Sequence, residues 1–180
     1  RMLDLDFLKK YAVKIAQAKQ DILAFWNFEN IGKIPVTVWV PGFFSFSKGL
    51  LCAPGDYYRD QEVNLQAQIE SIHSHLEHLQ DAYFPHLDSY IGTPVIASAF
   101  GGEVTYFKDK DPWLAHPIIH EYTDIDHLKK PDPKQSGLMK KIFEWVDYWK
   151  LQTNDQIPIS MTDIQGPLSV AIDLMGASKF

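Results

Sequence analysis

The residues best suited to chemistry lie late in the chain, within Ser160–Pro167. Thr162, Asp163 and Gln165 supply a hydroxyl, a carboxylate and an amide just before a predicted helix. The free backbone amides and the partial positive charge at a helix N-terminus suit a substrate carboxylate or another anion. Asp163 is also suited to capping this helix, and the two roles are compatible. We predict that the three side chains bind substrate.

Further candidate binding residues lie at the ends of two predicted strands, 34–40 and 94–100. They are Trp39, Phe43, Ser98, Phe100 and Glu103. Ligands of parallel α/β sheets bind outside the carboxyl ends of the strands. If the strands are parallel, we expect these residues to share one rim with Asp163.

Two histidines in the loop after the second predicted strand are the best titrating candidates on that side. His116 is taken as a binding residue, with His120 nearby. Each is equally open to interpretation as a loop histidine bonded to backbone. Among the remaining histidines, His73, His75 and His78 share one predicted helix, where 100° per residue prevents their imidazoles from converging on one ion. The sequence predicts no metal site among them.

The composition narrows the class of protein. The chain has 180 residues, 46% hydrophobic and 22% charged, which is typical of one globular domain. Its formal charge of -6 gives no general attraction to nucleic acid or to an anionic membrane. No apolar stretch approaches the roughly 20 residues of a membrane-spanning helix.

Neither the single cysteine nor a known catalytic motif indicates a reaction. Cys52 is the only cysteine, so no internal disulfide forms, and a reducing cytoplasmic location fits best. No nearby basic residue would lower its thiol pKa, and we expect it to be inert. Nucleophile-elbow, phosphate-loop, dinucleotide-binding and zinc-protease motifs do not occur.

The hydrophobic pattern predicts an α/β fold. Buried strands are predicted at 34–40, 94–100 and 157–161, and helices at 3–27, 61–83, 136–149 and 166–175. Ser136 is predicted to cap the third helix, and Pro167 and Gly176 to bracket the last. Strand-helix alternation with continuously apolar strands is typical of a parallel sheet. The domain then comprises a helical segment at 1–33 followed by strand-helix units at 34–180.

Two strings in this pattern resemble the uroporphyrinogen decarboxylase superfamily. They are Gly92–Phe107, GTPVIASAFGGEVTYF, and Thr162–Leu168, TDIQGPL. The resemblance runs from about Ile34 to Gly176 in the same order of elements. The superfamily also contains methyltransferases that move methyl groups from corrinoid proteins to coenzyme M and related thiols.

The resemblance implies a (β/α)8 TIM barrel with its active site at the C-terminal rim. Only about three strand-helix units are present, preceded by an N-terminal helix, so the barrel is incomplete. We expect the remaining five units beyond Phe180, and a start at Arg1 in place of methionine agrees with a partial chain. The resemblance therefore implies part of a methyltransferase or decarboxylase whose catalytic residues lie largely outside this chain.

The departures from the family pattern concern the substrate. Decarboxylases of the family carry arginines after the first strand, whereas this chain has Phe43, Phe44 and Phe46 there. They also carry an aspartate before the second strand, and the matching position is Gly92. Both departures favour a non-porphyrin substrate, because binding an octa-anionic porphyrinogen requires cationic partners and stabilising its protonated pyrrole requires a carboxylate.

Three functions remain open. The first is corrinoid-dependent methyl transfer, with a small-molecule substrate, a corrinoid protein as partner and zinc held by His and Cys residues of later strands. The second is genuine decarboxylation of uroporphyrinogen in porphyrin biosynthesis. The third is a noncatalytic binding or assembly module that covers its open strand edges, for example as a homodimer. No cofactor is evident from the chain itself.

Overall fold

The computed structural model describes residues 3–29 and 32–179, which are mostly helical. The α-helices are α1 (Asp6–Lys10), α2 (Ala12–Trp26), α3 (Pro54–Tyr57), α4 (Gln61–His78), α5 (Val95–Ala99), α6 (Gly137–Thr153) and α7 (Pro167–Met175), and Tyr122–His127 forms a 3₁₀ helix. The strands are β1 (Phe44–Ser45), β2 (Gly49–Leu50), β3 (Val104–Thr105) and β4 (Trp113–Leu114). They form two antiparallel pairs, β1 with β2 and β3 with β4.

The N-terminal helix is divided in two. Tyr11 separates α1 from α2 with φ -103° and ψ 14°, outside helical geometry. Ala18 is the one buried residue of α2, so this helix covers the core only along a narrow stripe. Residues 1, 2, 30 and 31 of the predicted segment 1–33 lie outside the described residues.

The prediction of a buried first strand at 34–40 is wrong. The segment has no regular strand structure, and Ile34 and Trp39 are 76% and 77% exposed. Its backbone bonds are sparse: Ala82 N donates to Val36 O at 2.8 Å, and Val38 N donates to the Asp81 carboxylate. These two bonds hold the segment beside residues 81–82 without forming a ladder.

The prediction of a second strand at 94–100 is also wrong, because residues 95–99 form α5. Alanine at 97 and 99 favours a helix, and Pro94 needs no backbone donor at the helix start. Val95 and Ser98 are buried in the packing of α5 on α6. A short apolar run does not by itself distinguish a buried strand from a buried helix.

The parallel pairing that the structure contains involves segment 82–90, which was not predicted to be a strand. Leu87 forms a parallel bridge with Ile159, in which Leu87 N donates to Pro158 O at 2.9 Å and Ser160 N donates to Leu87 O at 2.8 Å. The third predicted strand is therefore extended, and its neighbour is 82–90. The segments 34–40, 82–90 and 157–161 thus lie side by side in chain order.

The main core lies between α4 and α6 and the segments just described. Its fully buried members are Leu65, Leu76, Leu87, Ile91, Val95, Trp149 and Ile157. The prediction of helices here is confirmed, although α4 ends at His78 and α6 runs on to Thr153. A smaller cluster of Ala97, Leu114, Ile119 and Leu174 joins α7 to β4.

The first turn of α6 is stabilised by a hydrogen bond to a side chain of α5. Ser136 occupies the cap position but makes no side-chain cap bond, so the prediction that it caps the helix is wrong. Instead, Leu138 N donates to Ser98 Oγ at 2.9 Å, and this hydroxyl donates to Val95 O. Gly137 has φ +52°, and a side chain there would meet Ser98 at 2.5 Å. The bracketing of α7 by Pro167 and Gly176 is confirmed.

Candidate functional site

The parallel pairing brings polar side chains of two segments together. Ser89 Oγ donates to Ser160 O at 2.7 Å, and Ser160 Oγ donates to Asp88 Oδ1 at 3.4 Å. Ser89 is buried, and Asp88 is partly exposed. The end of segment 82–90 therefore presents a carboxylate beside the end of segment 157–161.

A carboxylate–tyrosine cluster, made of Tyr58, Asp88, Tyr90 and Asp111, builds on this pairing. Tyr90 OH donates to Asp111 Oδ2 at 3.0 Å, and Tyr90 N donates to Asp88 Oδ1 at 3.0 Å. The Tyr58 and Tyr90 rings meet edge to face, 6.2 Å apart. Three chain segments thus contribute to one polar surface lined with aromatic rings.

The tyrosine hydroxyls of the cluster remain protonated at neutral pH. Burial, followed by the nearby Asp111 carboxylate, raises the pKa of both Tyr58 and Tyr90. Asp163 and Asp88 add to the rise in the pKa of Tyr90. The hydroxyls therefore act as hydrogen-bond donors in a locally negative environment.

The backbone of Asp88 is fixed by the buried face of α4. Asp88 N donates to Gln68 Oε1 at 2.6 Å, and Gln68 Nε2 donates to Asp88 O at 3.2 Å and to Asn64 Oδ1 at 2.6 Å. Both amide side chains are at most 2% exposed. A fully bonded network of this kind restricts the position of the backbone that carries the carboxylate.

A small cleft adjoins the cluster. Its volume is about 90 Å³, and it lies between segment 37–42, α4 and segment 83–88. Trp39, His75, His86 and Asp88 are among the lining residues. The cleft combines an aromatic surface with carboxylate and imidazole groups.

The predicted residues near the C-terminus lie beside this cluster. Asp163 is exposed, and its Oδ1 accepts a 2.8 Å hydrogen bond from Gln165 N. Gly166 occupies the cap position of α7, so Asp163 does not cap that helix. The Thr162 hydroxyl is buried and has no hydrogen-bond partner among the described residues. The Asp163 carboxylate is therefore available to a ligand.

The other predicted site residues divide into two groups. Phe43 packs edge to face on Tyr57 and Tyr58, at 5.1 and 6.5 Å, so it supports the cluster. The remaining predicted residues make no described hydrogen bond or ring contact with the cluster; they are Ser98, Phe100, Glu103 and His116. The Ser98 hydroxyl bonds backbone groups of two helices, whereas Glu103 and His116 are exposed.

Sequence reasoning missed all four residues of the cluster. Asp88 and Tyr90 alternate in burial with Leu87 and Ser89, but the residue types at 86–91 do not alternate between apolar and polar. The more apolar run at 94–100 was therefore the stronger strand signal. Asp111 lies in a loop that no periodic pattern marks.

One of three comparisons with known proteins found a match. The sequence profile described as Uroporphyrinogen decarboxylase (URO-D) matches residues 58–180, more than half of the chain. The chain belongs to the uroporphyrinogen decarboxylase family. No curated protein and no solved structure gave a significant match.

The uroporphyrinogen decarboxylase family has a TIM-barrel type of fold. In residues 3–29 and 32–179 no barrel closes, and the parallel bridge between Leu87 and Ile159 is the barrel-like pairing present. Within the same ranges, no helix is both long enough and apolar enough to cross a membrane.

Zinc, which the methyltransferases of the family use, does not fit the described residues. No three His, Cys, Asp or Glu side chains within them are placed to bind one metal ion. The Nε2 atom of His75 is occupied by Asp81 at 3.0 Å, and burial raises the pKa of the Cys52 thiol. Any zinc ligands would therefore come from other residues.

Proposed function

We propose that this member of the uroporphyrinogen decarboxylase family acts on a non-porphyrin substrate by corrinoid-dependent methyl transfer, in which a corrinoid protein is the partner. The carboxylate–tyrosine cluster is the observation that carries the proposal. Asp88, Asp111 and Asp163 all lie near Tyr90, so the surroundings of this tyrosine are negatively charged. That environment suits a neutral or cationic substrate.

The absence of cationic partners supports the same substrate class. Among the described residues, no lysine or arginine forms an ion pair with Asp88, Asp111 or Asp163. A porphyrinogen with eight carboxylates would face charge of its own sign here, at a cost that low-dielectric surroundings increase. Phe43, at the position of the family's arginines, contributes a ring and no charge.

The described residues then have binding and orienting roles. The Tyr90 hydroxyl, whose proton is donated to Asp111, and the Asp163 carboxylate each offer an acceptor to a substrate, and Trp39 offers an exposed ring face. Aromatic rings and carboxylates together favour ligands with a positive methylated centre. Holding such a ligand in one orientation is the contribution expected from this part of the barrel.

Genuine uroporphyrinogen decarboxylation is the second candidate, favoured by Asp88. Decarboxylases of the family carry an aspartate before the second strand, where the resemblance places Gly92 of this chain. Asp88 lies four residues before Gly92, in the extended segment 82–90 that pairs with 157–161. A carboxylate that faces pyrrole nitrogens is therefore compatible with this geometry.

The two candidates are separated by assaying the complete gene product with both substrates. We expect methyl transfer from methylcobalamin to a small thiol, measured by the loss of methylcobalamin absorbance, and no release of carbon dioxide from uroporphyrinogen. Tyr90→Phe should raise the KM for the methyl acceptor or donor several-fold, whereas Tyr148→Phe, in α6 and outside the cluster, should not. Carbon dioxide release without methyl transfer would establish the decarboxylase and reject the proposal.

A further inference from the structure

The small cleft that adjoins the carboxylate–tyrosine cluster has walls rich in hydrogen-bond acceptors. His75, His86 and Asp88 line it, together with the aromatic rings of Trp39 and Tyr83. Its volume of about 90 Å³ equals the share of about three water molecules in the liquid. The cleft therefore admits a group of only a few heavy atoms.

The His75 ring offers an acceptor to this cleft. Its Nε2 lies 3.0 Å from both carboxylate oxygens of Asp81. A carboxylate only accepts hydrogen bonds, so Nε2 carries the proton and Nδ1 keeps a lone pair. Nδ1 has no partner among the described residues, and the unbonded atoms that are sealed from solvent lie at other residues. Nδ1 is therefore open to the cleft that its ring lines.

Two further acceptors belong to His86 and Asp88. His86 Nδ1 lies 2.9 Å from Phe84 O, so the proton is on Nδ1 and Nε2 of the neutral ring is an acceptor. Asp88 Oδ1 accepts hydrogen bonds from Tyr90 N and the Ser160 hydroxyl, whereas Oδ2 has no described partner. The free polar atoms of the three lining side chains are thus all acceptors, and one of them is anionic.

Hydrogen-bond donors are fewer among the lining side chains. Gln68 Nε2 and Ser71 Oγ already donate to other groups of the protein. The Thr37 and Tyr83 hydroxyls each accept as well as donate. The indole N–H of Trp39 is then the one free side-chain group of the lining that only donates.

The charge of the cleft favours a cation. Asp88 contributes a free carboxylate oxygen, and no lysine or arginine is among the described residues that line the cleft. The Lys14 charge also acts on His75, but its amine is bonded to the backbone carbonyls of Leu76 and Leu79. A ligand with positive charge and N–H groups therefore complements the cleft in both respects.

We propose that this cleft binds a small organic cation with several N–H groups, of the guanidinium type. A guanidinium is flat, donates from several positions around its plane and stacks on aromatic rings. The exposed Trp39 ring supplies such a face at the cleft. The inference narrows the substrate class of the proposed function and rests on that function for its role in turnover. Binding itself requires no turnover.

Three small molecules test the proposal with the complete gene product. Methylguanidinium has the charge and the N–H groups, N-methylurea has the same shape without the charge, and tetramethylammonium has the charge without N–H groups. Dissociation constants are measured at pH 8.0 by ligand-observed NMR. We expect methylguanidinium to bind about tenfold more tightly than either of the others. Equal affinity for methylguanidinium and N-methylurea, or tighter binding of tetramethylammonium, would overturn the proposal.

Two carboxylate variants locate the bound cation. Asp88→Asn removes the charge at the cleft and should weaken methylguanidinium binding about tenfold. Asp111→Asn removes a charge of the cluster that does not line the cleft, and should weaken binding much less. A greater loss in Asp111→Asn than in Asp88→Asn would place the cation in the cluster and overturn the proposal.

A pair of histidine variants tests the acceptor on α4. His75→Gln removes the Nδ1 lone pair and should weaken methylguanidinium binding several-fold. His78→Gln is the matched control, because His78 Nδ1 is bonded to Ser74 O and lies outside the cleft lining. Circular dichroism reports whether each variant folds, and equal binding by the two variants would contradict the role of His75. Methyl transfer is assayed separately, so a failure to bind the cation and a failure of the proposed function are distinguished.

Discussion

Asp88 shows how one carboxylate is prepared for a ligand. Its backbone is bonded on both sides to Gln68, whereas its side chain is bonded by Tyr90 N and, more weakly, by the Ser160 hydroxyl. Those contacts occupy Oδ1 and leave Oδ2 without a described partner. A fixed backbone with a free acceptor atom is a suitable arrangement for selective binding.

The buried pair of His75 and Asp81 makes the free energy of unfolding of the protein depend on pH. Burial lowers the pKa of His75, and the hydrogen bond that its Nε2 donates to the Asp81 carboxylate only partly opposes this effect. Burial alone would raise the pKa of Asp81, but Val38 N and His75 lower it overall. Both groups therefore bind protons more weakly in the folded protein than in the unfolded chain.

We predict that the free energy of unfolding decreases as the pH falls. The stabilisation from His75 is complete above its unfolded pKa of about 6.5, and that from Asp81 above about 3.9, and each is lost as the pH falls through the folded value. His75→Gln should flatten the profile between pH 7 and pH 5 in urea unfolding. The exposed His120→Gln is the control, and an unchanged slope in His75→Gln would contradict the prediction.

At the scale of single residues, the sequence points to side chains that lie next to a recognisable helix terminus. Asp163 and Gln165 were chosen because a helix start follows them, and their role in binding stays a prediction. Asp111 was missed because its role depends on Tyr90, 21 positions away, and no local pattern encodes that distance. Ser98 was assigned to a rim because its segment was taken as a strand.

At the scale of elements, α5 and α6 depend on one hydroxyl. Ser98→Ala should remove both the donor to Val95 O and the acceptor for Leu138 N, and destabilise the protein by about 1–2 kcal/mol. Ser136→Ala, at the formal cap position, should change stability by less than about 0.5 kcal/mol.

Chemical denaturation of the two variants tests this assignment. Each change removes one serine hydroxyl, and the two residues differ in burial and in hydrogen bonding. A larger loss of stability in Ser136→Ala than in Ser98→Ala would show that the conventional cap is the effective one.

The elements that could be predicted are those with long periodic patterns. In α4, Leu65, Ile69, Ile72 and Leu76 repeat at helical spacing, and the helix formed as expected. The five residues of α5 are too few for a period, so their apolar character was ambiguous. Segment 82–90 contains Pro85, and the polar residues His86 and Asp88 interrupt its apolar residues. These residues concealed its extended structure.

At the scale of the whole molecule, the extended segment 34–40 presents several exposed apolar side chains. Ile34, Val36 and Trp39 are 64–77% exposed, and their backbone has hydrogen bonds mainly toward one neighbour. Exposed apolar segments with free strand edges promote association. The 180-residue chain should therefore self-associate as its concentration rises.

Replacing one residue of this edge tests the expectation. Val36→Lys should shift the association midpoint to a concentration at least several-fold higher, because a charge at the edge disfavours pairing. Leu151→Lys, at a 73% exposed position on α6, is the matched control. Sedimentation velocity measures both, and a monomeric unmodified chain at all concentrations would contradict the prediction.

The bond between Ser98 and Leu138 also has a consequence for the order of events during synthesis. Ser98 emerges 40 residues before Leu138, so its hydroxyl gains the Leu138 amide as a partner only when α6 has emerged and docked on α5. A nascent chain in which α6 has emerged but has not docked on α5 would carry α6 with a frayed first turn. Protection of the Leu138 amide against hydrogen exchange would then report when α6 docks on α5.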